Sequence, residues 1–129
     1  MPDTIDQGRP ALEDGGATMA NRIREAINVL ARRGWTKDAF TDADGRHCLQ
    51  GALYEAYGVN SCPASRHLRL RLAGELAQDM RLVNEVVASE YPDRFGGVGA
   101  SRFNDHPETT LEDVVRVLEK AAVRRDEHI

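Results

Sequence analysis

The stretch that decides the fold is ASRHLRLRLAGELAQDMRLVNEVVASE, residues 64–90, the longest run with helical periodicity in the chain. Its apolar residues recur at three- and four-residue steps, which places them on one face of an α-helix. Tyr91-Pro92 ends the helix, since proline disfavours helical geometry in the residue before it. Six residues form the predicted stripe and three widen it: Leu68, Leu72, Leu76, Met80, Val83 and Val87, then Leu70, Ala73 and Leu82.

Two predicted helices precede this long one. The first has Thr18 as its predicted N-cap, repeats apolar residues on one face and ends at Gly34. The second, CLQGALYEAY at residues 48–57, is short and apolar, and Gly58 ends it. We expect the second helix at the centre of the fold. Gly51 within it indicates close approach of another backbone, because glycine otherwise weakens a helix.

One more predicted helix follows, beginning where Thr109 and Glu112 have capping-box spacing. Acidic residues near its start and basic residues near its end match the helix macrodipole. Its apolar face is predicted from helical spacing to contain Leu111, Val114, Val115, Leu118, Ala121 and Ala122.

The remaining segments lack periodicity. Residues 1–16 contain prolines, glycines and acids with little apolar content, which predicts a flexible N-terminal arm before a single helical domain at 17–127. Residues 35–47 and 93–108 are predicted irregular, the former with a turn at Asp42-Ala43-Asp44-Gly45 that lacks the other ligands of a calcium loop. The prediction is an all-α, compact bundle of four main helices with two long irregular loops and a flexible arm.

Composition excludes several functional classes. With 129 residues the chain forms one ordinary domain, and its net charge of −4 argues against a globally basic nucleic-acid binder. No apolar run reaches membrane-spanning length and no signal-peptide core is present, so we expect a cytoplasmic protein with no membrane contact. Cys48 and Cys62 are too few for a disulfide framework and fit no zinc spacing. We expect no metal and no cofactor.

The glycines of FGGVGAS, residues 95–101, invite a comparison with phosphate-binding loops. Such loops follow a strand and open directly into a helix, or carry a lysine followed by serine or threonine. Neither context is present, so this segment is predicted to be a flexible connection.

Cys48 is the one candidate for a catalytic residue. It begins a predicted helix, whose dipole would favour the thiolate. His47 is adjacent to it in sequence, and His67, His106 and Asn104 are available as a base and an orienting group. A buried structural cysteine fits the apolar context equally well, so a cysteine-dependent enzyme is an alternative, and a non-enzymatic protein is favoured.

A basic cluster lies at the start of the long helix. Arg66 and Arg69 share a face, and Arg71 lies beside them. This cluster is either a solvated surface or a contact for phosphate or nucleic acid. No helix-turn-helix spacing supports the second interpretation, so nucleic-acid binding is an alternative that we do not favour.

Trp35 follows the first helix, and Phe103, Asn104 and Asp105 precede the last one. An aromatic residue near short polar side chains fixes loops, because asparagine and aspartate accept backbone N–H bonds in turns and caps. Loops on a rigid scaffold are also common binding sites. We therefore take these four, with Arg66 and Arg69, as candidate binding residues.

The same motifs carry a resemblance to a known family. Arg-Gly-Trp-Thr at 33–36, Asp-Ala-Asp-Gly-Arg at 42–46, Cys-Leu-x-Gly-Ala-Leu at 48–53, Phe-Asn-Asp at 103–105 and Thr-x-Glu-x-Val in the last helix occur in this order. The pattern resembles a bacterial and bacteriophage family of small proteins known only as a domain of unknown function, over roughly residues 20 to 123. Similar proteins have tryptophan at position 103 and Gln-Gly at 37–38. The resemblance implies a bacterial or phage cytosolic protein and implies no reaction.

These observations favour a small cytosolic, non-enzymatic interaction protein, such as a phage or accessory factor that binds a host protein. No complete catalytic motif is present, several helix faces are apolar, and the arm is free to fold on a partner. A homo-oligomer also fits, because the long helix has apolar positions for an antiparallel partner.

Overall fold

The computed structural model describes residues 21–58, 66–95 and 99–127, and this part of the chain is helical with no strand. The all-α prediction is confirmed. The predicted arm, together with Thr18, lies outside the described residues. Six helices make up the fold over these ranges: α1 (Arg22–Arg33), α2 (Leu49–Tyr57), α3 (Arg66–Glu90), α4 (Pro92–Phe95), α5 (Ala100–Asp105) and α6 (Leu111–Glu127).

Helix α1 begins later than predicted. Its N-cap is Asn21, whose side-chain oxygen accepts hydrogen bonds from the N–H groups of Ile23 and Arg24. Asn21 also donates to the Ala122 carbonyl at 2.9 Å and so ties α1 to α6. Gly34 ends the helix, as predicted. The first residue of α1 is therefore set by a capping side chain that also contacts α6. The spacing of apolar residues within the helix does not reveal such a contact.

Helix α2 is largely buried, in agreement with its predicted central position. Leu49, Ala52 and Leu53 have no exposed surface. A Cβ atom on Gly51 would lie 2.3 Å from the carbonyl oxygen of Phe40, far inside van der Waals contact. The close backbone approach predicted at Gly51 is therefore present.

Helix α3 buries one face, as its periodicity predicts. The buried residues include Leu76, Val83 and Val87 of the predicted stripe. Leu70 and Ala73 do not widen this stripe, because both are exposed, Leu70 by 62%. Nowhere in the described ranges is a helix long and apolar enough to cross a bilayer.

The second predicted loop is wrong in part, since it contains α4 and α5. Phe103 is fully buried and its ring packs 5.0 Å from that of Tyr91, which anchors α5 to the end of α3. The Asn84 side chain accepts a hydrogen bond from the Ala100 N–H at the first turn of α5. These tertiary contacts stabilise a helix of six residues, which is too short to form in isolation.

Helix α6 has a capping box one residue later than predicted. Thr110 Oγ1 accepts from the Asp113 N–H, and the Asp113 carboxylate accepts from the Thr110 N–H. Burial favours a raised Asp113 pKa, but the hydrogen bonds from Thr110, Arg94 and Tyr91 lower it overall. Thr109 is buried instead, and Leu111 is exposed rather than part of the apolar face.

A buried polar cluster joins three helices. The Tyr57 hydroxyl of α2 donates to the Asp79 carboxylate of α3, and Arg125 of α6 donates to the same carboxylate at 2.5 Å. Asp79 is fully buried. Burial and the hydrogen bond to Asp79 raise the pKa of Tyr57, so the hydroxyl remains protonated. The cluster fixes α2, α3 and α6 relative to one another.

Candidate functional site at the junction of two loops

The side chain of Asn104 joins the two connecting regions of the fold. Its Oδ1 atom accepts from the Trp35 indole Nε1–H at 2.7 Å and from the Leu49 N–H at 3.0 Å. Its Nδ2 group donates to the Thr36 carbonyl and to the Asp105 carboxylate. Asn104 is 1% exposed, and all four of its hydrogen-bonding positions are occupied. It thus holds the loop after α1, the start of α2 and helix α5 in one arrangement.

Asp105 and Lys37 strengthen this junction from outside. One Asp105 oxygen also accepts from the Asp38 N–H at 2.8 Å, and Lys37 Nζ donates to the His106 carbonyl at 2.7 Å. Asp38 has a φ of 63°, a left-handed conformation that aspartate tolerates better than most residues. The glycine expected at this position from the resemblance would have no difficulty with that conformation.

The loop from 35 to 48 is ordered by its own turn. Asp42 Oδ1 accepts from the N–H groups of Asp44 and Arg46, which confirms the turn predicted at this position. His47 forms isolated bridges with Trp35 and Thr41. The loop therefore presents a defined surface to α5.

An open cleft runs along α5, with its inner part between α5 and this loop and its outer part between α4 and α5, and we call it the loop cleft. It consists of an inner pocket of about 220 Å³ and an adjoining outer depression of about 580 Å³, which share Ser101 and Asp105 as a common wall. Asp38, Ser101, Arg102 and Asp105 are all exposed there. The inner pocket is lined by Asp38, Phe40, Cys48 and Gln50, and the outer depression by Asp93, Arg94, Arg102 and His106.

Cys48 lies at the floor of the inner pocket but is only 8% exposed. It is the N-cap of α2, and its Sγ atom accepts from the Gly51 N–H at 3.2 Å. Burial raises the pKa of the thiol, and the charge of Asp105 adds to this effect, despite opposing hydrogen bonds from Gly51 and Gln50. The expected activation by the helix dipole is therefore wrong: the thiol is stabilised in its protonated form.

The two described histidines near the site make local contacts. His47 Nδ1 lies 2.8 Å from Thr41 Oγ1, and His106 Nδ1 accepts from the Glu108 N–H at 3.1 Å. Asn104, the proposed orienting group, bonds to Trp35 and Leu49 as described. These contacts hold the loops in place, and the side chain of His67 lies outside the described residues.

The remaining candidate residues fall in different places. Phe103 is a core residue, so it supports the cleft from behind and does not form a binding surface. The side chains of Arg66 and Arg69 lie outside the described residues, while Arg71 is exposed on α3. Within the described ranges, no group of three or more histidine, cysteine or acidic side chains is arranged to hold a metal ion.

Sequence reasoning missed several residues that form the cleft. Asp38, Phe40, Gln50 and Ser101 line it, although the sequence motifs single out none of these four side chains. At this loop, the only feature of the sequence that pointed to these residues is Lys37-Asp38, which stands where the family usually has Gln-Gly. Asp38 is also the residue with a positive φ. Phe40 is 42% exposed and packs edge-on against Tyr54 at 4.8 Å, a contact that only the folded chain creates.

Slow thiol chemistry is expected at Cys48. In a Cys62→Ser variant, a disulfide reagent should label Cys48 at least about tenfold more slowly than a free thiol at pH 8, because the pKa of Cys48 is raised and the side chain is buried. The labelling rate should increase as the pH rises above the ordinary thiol pKa, since only then does the thiolate accumulate. Labelling of the unfolded chain is the control. Fast labelling of the native protein at neutral pH would contradict the prediction.

The fold and the site together define the class of this protein: an all-α domain in which one buried asparagine joins two connecting regions beside an open polar cleft. The chain belongs to DUF6197, a family of unknown function, whose family model matches residues 15–124. No curated protein and no solved structure matches the chain.

Proposed function

We propose that this chain is a non-enzymatic interaction protein, a cytoplasmic accessory factor of a bacterium or bacteriophage that binds a partner protein at the loop cleft. The observation that carries the proposal is the support that Asn104 gives to an exposed surface. All four hydrogen-bonding positions of Asn104 are occupied within the junction, whereas Asp38, Ser101, Arg102 and Asp105 are exposed at the surface that it holds together. Rigid support of this kind reduces the entropy lost on binding.

The cleft favours a polypeptide segment as its ligand. The inner pocket, with Phe40 and Cys48, has the size and apolar surface for one small side chain. The outer depression offers both Arg102 and Asp105, which suit the polar groups that flank such a side chain. Together the two parts provide an apolar anchor site with a polar rim, the usual arrangement of protein interfaces.

The two alternatives have less support. A cysteine-dependent enzyme needs a thiolate that is accessible at neutral pH, whereas burial raises the pKa of Cys48. Nucleic-acid binding would rest on Arg66, Arg69 and Arg71, of which only the Arg71 side chain is described. Binding to DNA or RNA that weakens steeply with salt would favour that alternative.

Substitution of Ser101 tests the proposal. Ser101 is exposed, its hydroxyl donates to the Gln50 side chain at 2.9 Å, and it lies in the wall shared by both parts of the cleft. A Ser101→Arg side chain fills the cleft, so a partner captured by the wild-type chain should bind at least about tenfold more weakly. The measurement is affinity capture from a bacterial lysate with quantitative mass spectrometry, followed by titration of the purified partner.

The matched control is Ser89→Arg, which introduces the same side chain at an exposed position of α3. A partner at the cleft is enriched by the wild-type and Ser89→Arg chains and is lost with Ser101→Arg. If no protein distinguishes the two variants, or if the captured protein binds both equally, the cleft is not the binding site.

A further inference from the structure

A second concave surface lies between α2 and α3, and we call it the groove beside α3. It has a volume of about 640 Å³. Three polar residues line it, Gln50, Arg81 and Asn84, together with an apolar set from both helices. The apolar residues are Tyr54, Ala73, Leu76, Ala77 and Met80. Gln50 and Asn84 also bond to the first residues of α5, so the polar end of the groove is the end nearest α5.

The α3 side of this groove is a regular row of side chains, because steps of three and four residues return to the same side of a helix. The row consists of Leu70, Ala73, Ala77, Met80 and Asn84. The two alanines are exposed, and Leu70 is 62% exposed at the far end. Packing within the described residues thus leaves these three uncovered. The alanines leave room for side chains of a ligand, and the flexible Met80 adapts to their shape.

The groove and the loop cleft are continuous. Gln50 lines both the groove and the inner pocket of the cleft, and its side chain accepts from Ser101, which lies in the wall shared by both parts of the cleft. The Phe40 ring of the inner pocket also packs edge-on against Tyr54 of the groove at 4.8 Å. Because the two concave surfaces share a wall, one extended polypeptide segment is able to contact both at once.

The polar end of the groove is positively charged. Arg81 is exposed, and it is the only charged residue among the described residues that line the groove. No carboxylate in the described part of the chain lies within ion-pair distance of its guanidinium. A guanidinium pairs best with a carboxylate, which it contacts through two parallel hydrogen bonds. The groove therefore suits a ligand that combines apolar side chains with an acidic one.

We propose that the partner segment bound at the loop cleft continues into the groove beside α3, where its apolar side chains pack on the α3 row and an acidic side chain pairs with Arg81. This inference rests on the proposed function, because it extends the segment that the cleft binds. The row from Ala73 to Asn84 is about 17 Å long, a distance that an extended chain covers with about five residues. The partner's recognition sequence thus has a small residue for the inner pocket and an apolar, acidic stretch beside it.

A phage-displayed library of random peptides provides the probe. Peptides are selected on the full wild-type chain after depletion on the Ser101→Arg chain, so that the peptides that remain need the cleft. Ala77→Arg fills the groove from an exposed position and should raise the dissociation constant of a selected peptide at least about tenfold, measured by titration calorimetry. Ser89→Arg, at an exposed position of the same helix, is the matched control and should leave the dissociation constant unchanged.

An exchange of charge tests the acidic contact. Arg81→Glu should raise the dissociation constant of a selected peptide about fivefold, since attraction becomes repulsion. The same peptide with its acidic residue replaced by lysine should bind the Arg81→Glu chain more tightly than the wild-type chain. An unfolded variant cannot restore binding in this way. A peptide shortened to its cleft portion should bind the wild-type and Ala77→Arg chains equally.

The outcomes separate this inference from the proposed function. If no selected peptide is lost with Ser101→Arg, the cleft does not bind such a segment and both proposals fail. If the peptides bind the Ala77→Arg and wild-type chains equally, or if the charge exchange restores nothing, binding at the cleft stands and its extension into the groove is overturned. A wild-type dimer that Ala77→Arg dissociates in sedimentation equilibrium also overturns the extension, because a second copy then occupies the groove.

Discussion

Replacing Asp79 with asparagine is expected to lower the free energy of unfolding by about 3 kcal/mol, as for other buried ion pairs that lose one partner. The Asp79 carboxylate is fully buried and accepts from both Tyr57 and Arg125. A neutral amide at this position would leave the Arg125 guanidinium without its counter-charge among buried neighbours. The expected loss of stability is near the lower end of the range for buried ion pairs, because the Arg125 side chain is 26% exposed and keeps part of its hydration.

Urea unfolding followed by circular dichroism measures this change. The matched control is Asp126→Asn, because Asp126 pairs with Arg24 at 2.7 Å while both side chains are about half exposed. Exposed pairs contribute about 0–1 kcal/mol, so the control should change stability little. Equal effects of the two substitutions would mean that the buried cluster does not hold the three helices together.

Replacing Asn104 with alanine is expected to destabilise the protein by about 2–3 kcal/mol. The substitution leaves the indole N–H of Trp35 and the N–H of Leu49 without their acceptor, and buried donors that lose an acceptor carry the full desolvation cost. The loop after α1 also loses the two hydrogen bonds, from Trp35 and to Thr36, that tie it to α5 through Asn104. Trp35 is the only tryptophan of the chain, so its fluorescence reports directly on this junction.

The expected optical change is a red shift of the Trp35 emission in Asn104→Ala under native conditions, accompanied by the loss of stability in urea. Asn28→Ala is the matched control, because Asn28 is exposed and its side chain makes a 3.3 Å contact with Glu25 in the same helix. That control should leave both the emission and the stability unchanged. If Asn104→Ala behaves like Asn28→Ala, Asn104 does not hold the cleft in place.

The long elements of this fold could be predicted from sequence because their apolar residues repeat with helical spacing. Helices α1, α2 and α3 lie close to their predicted bounds. Helices α4 and α5 could not be predicted, since each is too short to show a period and α5 depends on the burial of Phe103 and on the Asn84 side chain. Leu70 and Leu111 were assigned to apolar faces because spacing does not tell which neighbour covers a residue.

The candidate site could be predicted only in part. Cys48, Trp35, Asn104 and Asp105 were selected from motifs and do meet in the structure, although Phe103 supports them from the core. The cleft itself is a gap between elements, and its wall at Ser101 depends on how α5 packs. Nothing in a local pattern encodes such a gap. The raised pKa of Cys48 likewise follows from tertiary burial, which outweighs the local effect of the helix terminus.

The backbone contact at Gly51 has a mechanical consequence for the whole domain. A side chain between two elements can change rotamer and absorb a small displacement, whereas the Phe40 carbonyl meets α2 with nothing in between. Any shift of α2 must therefore move Phe40 and the mouth of the cleft with it. Helix α2 also forms one side of the groove beside α3. Gly51 thus makes the wall of that groove and the mouth of the loop cleft parts of one mechanical unit.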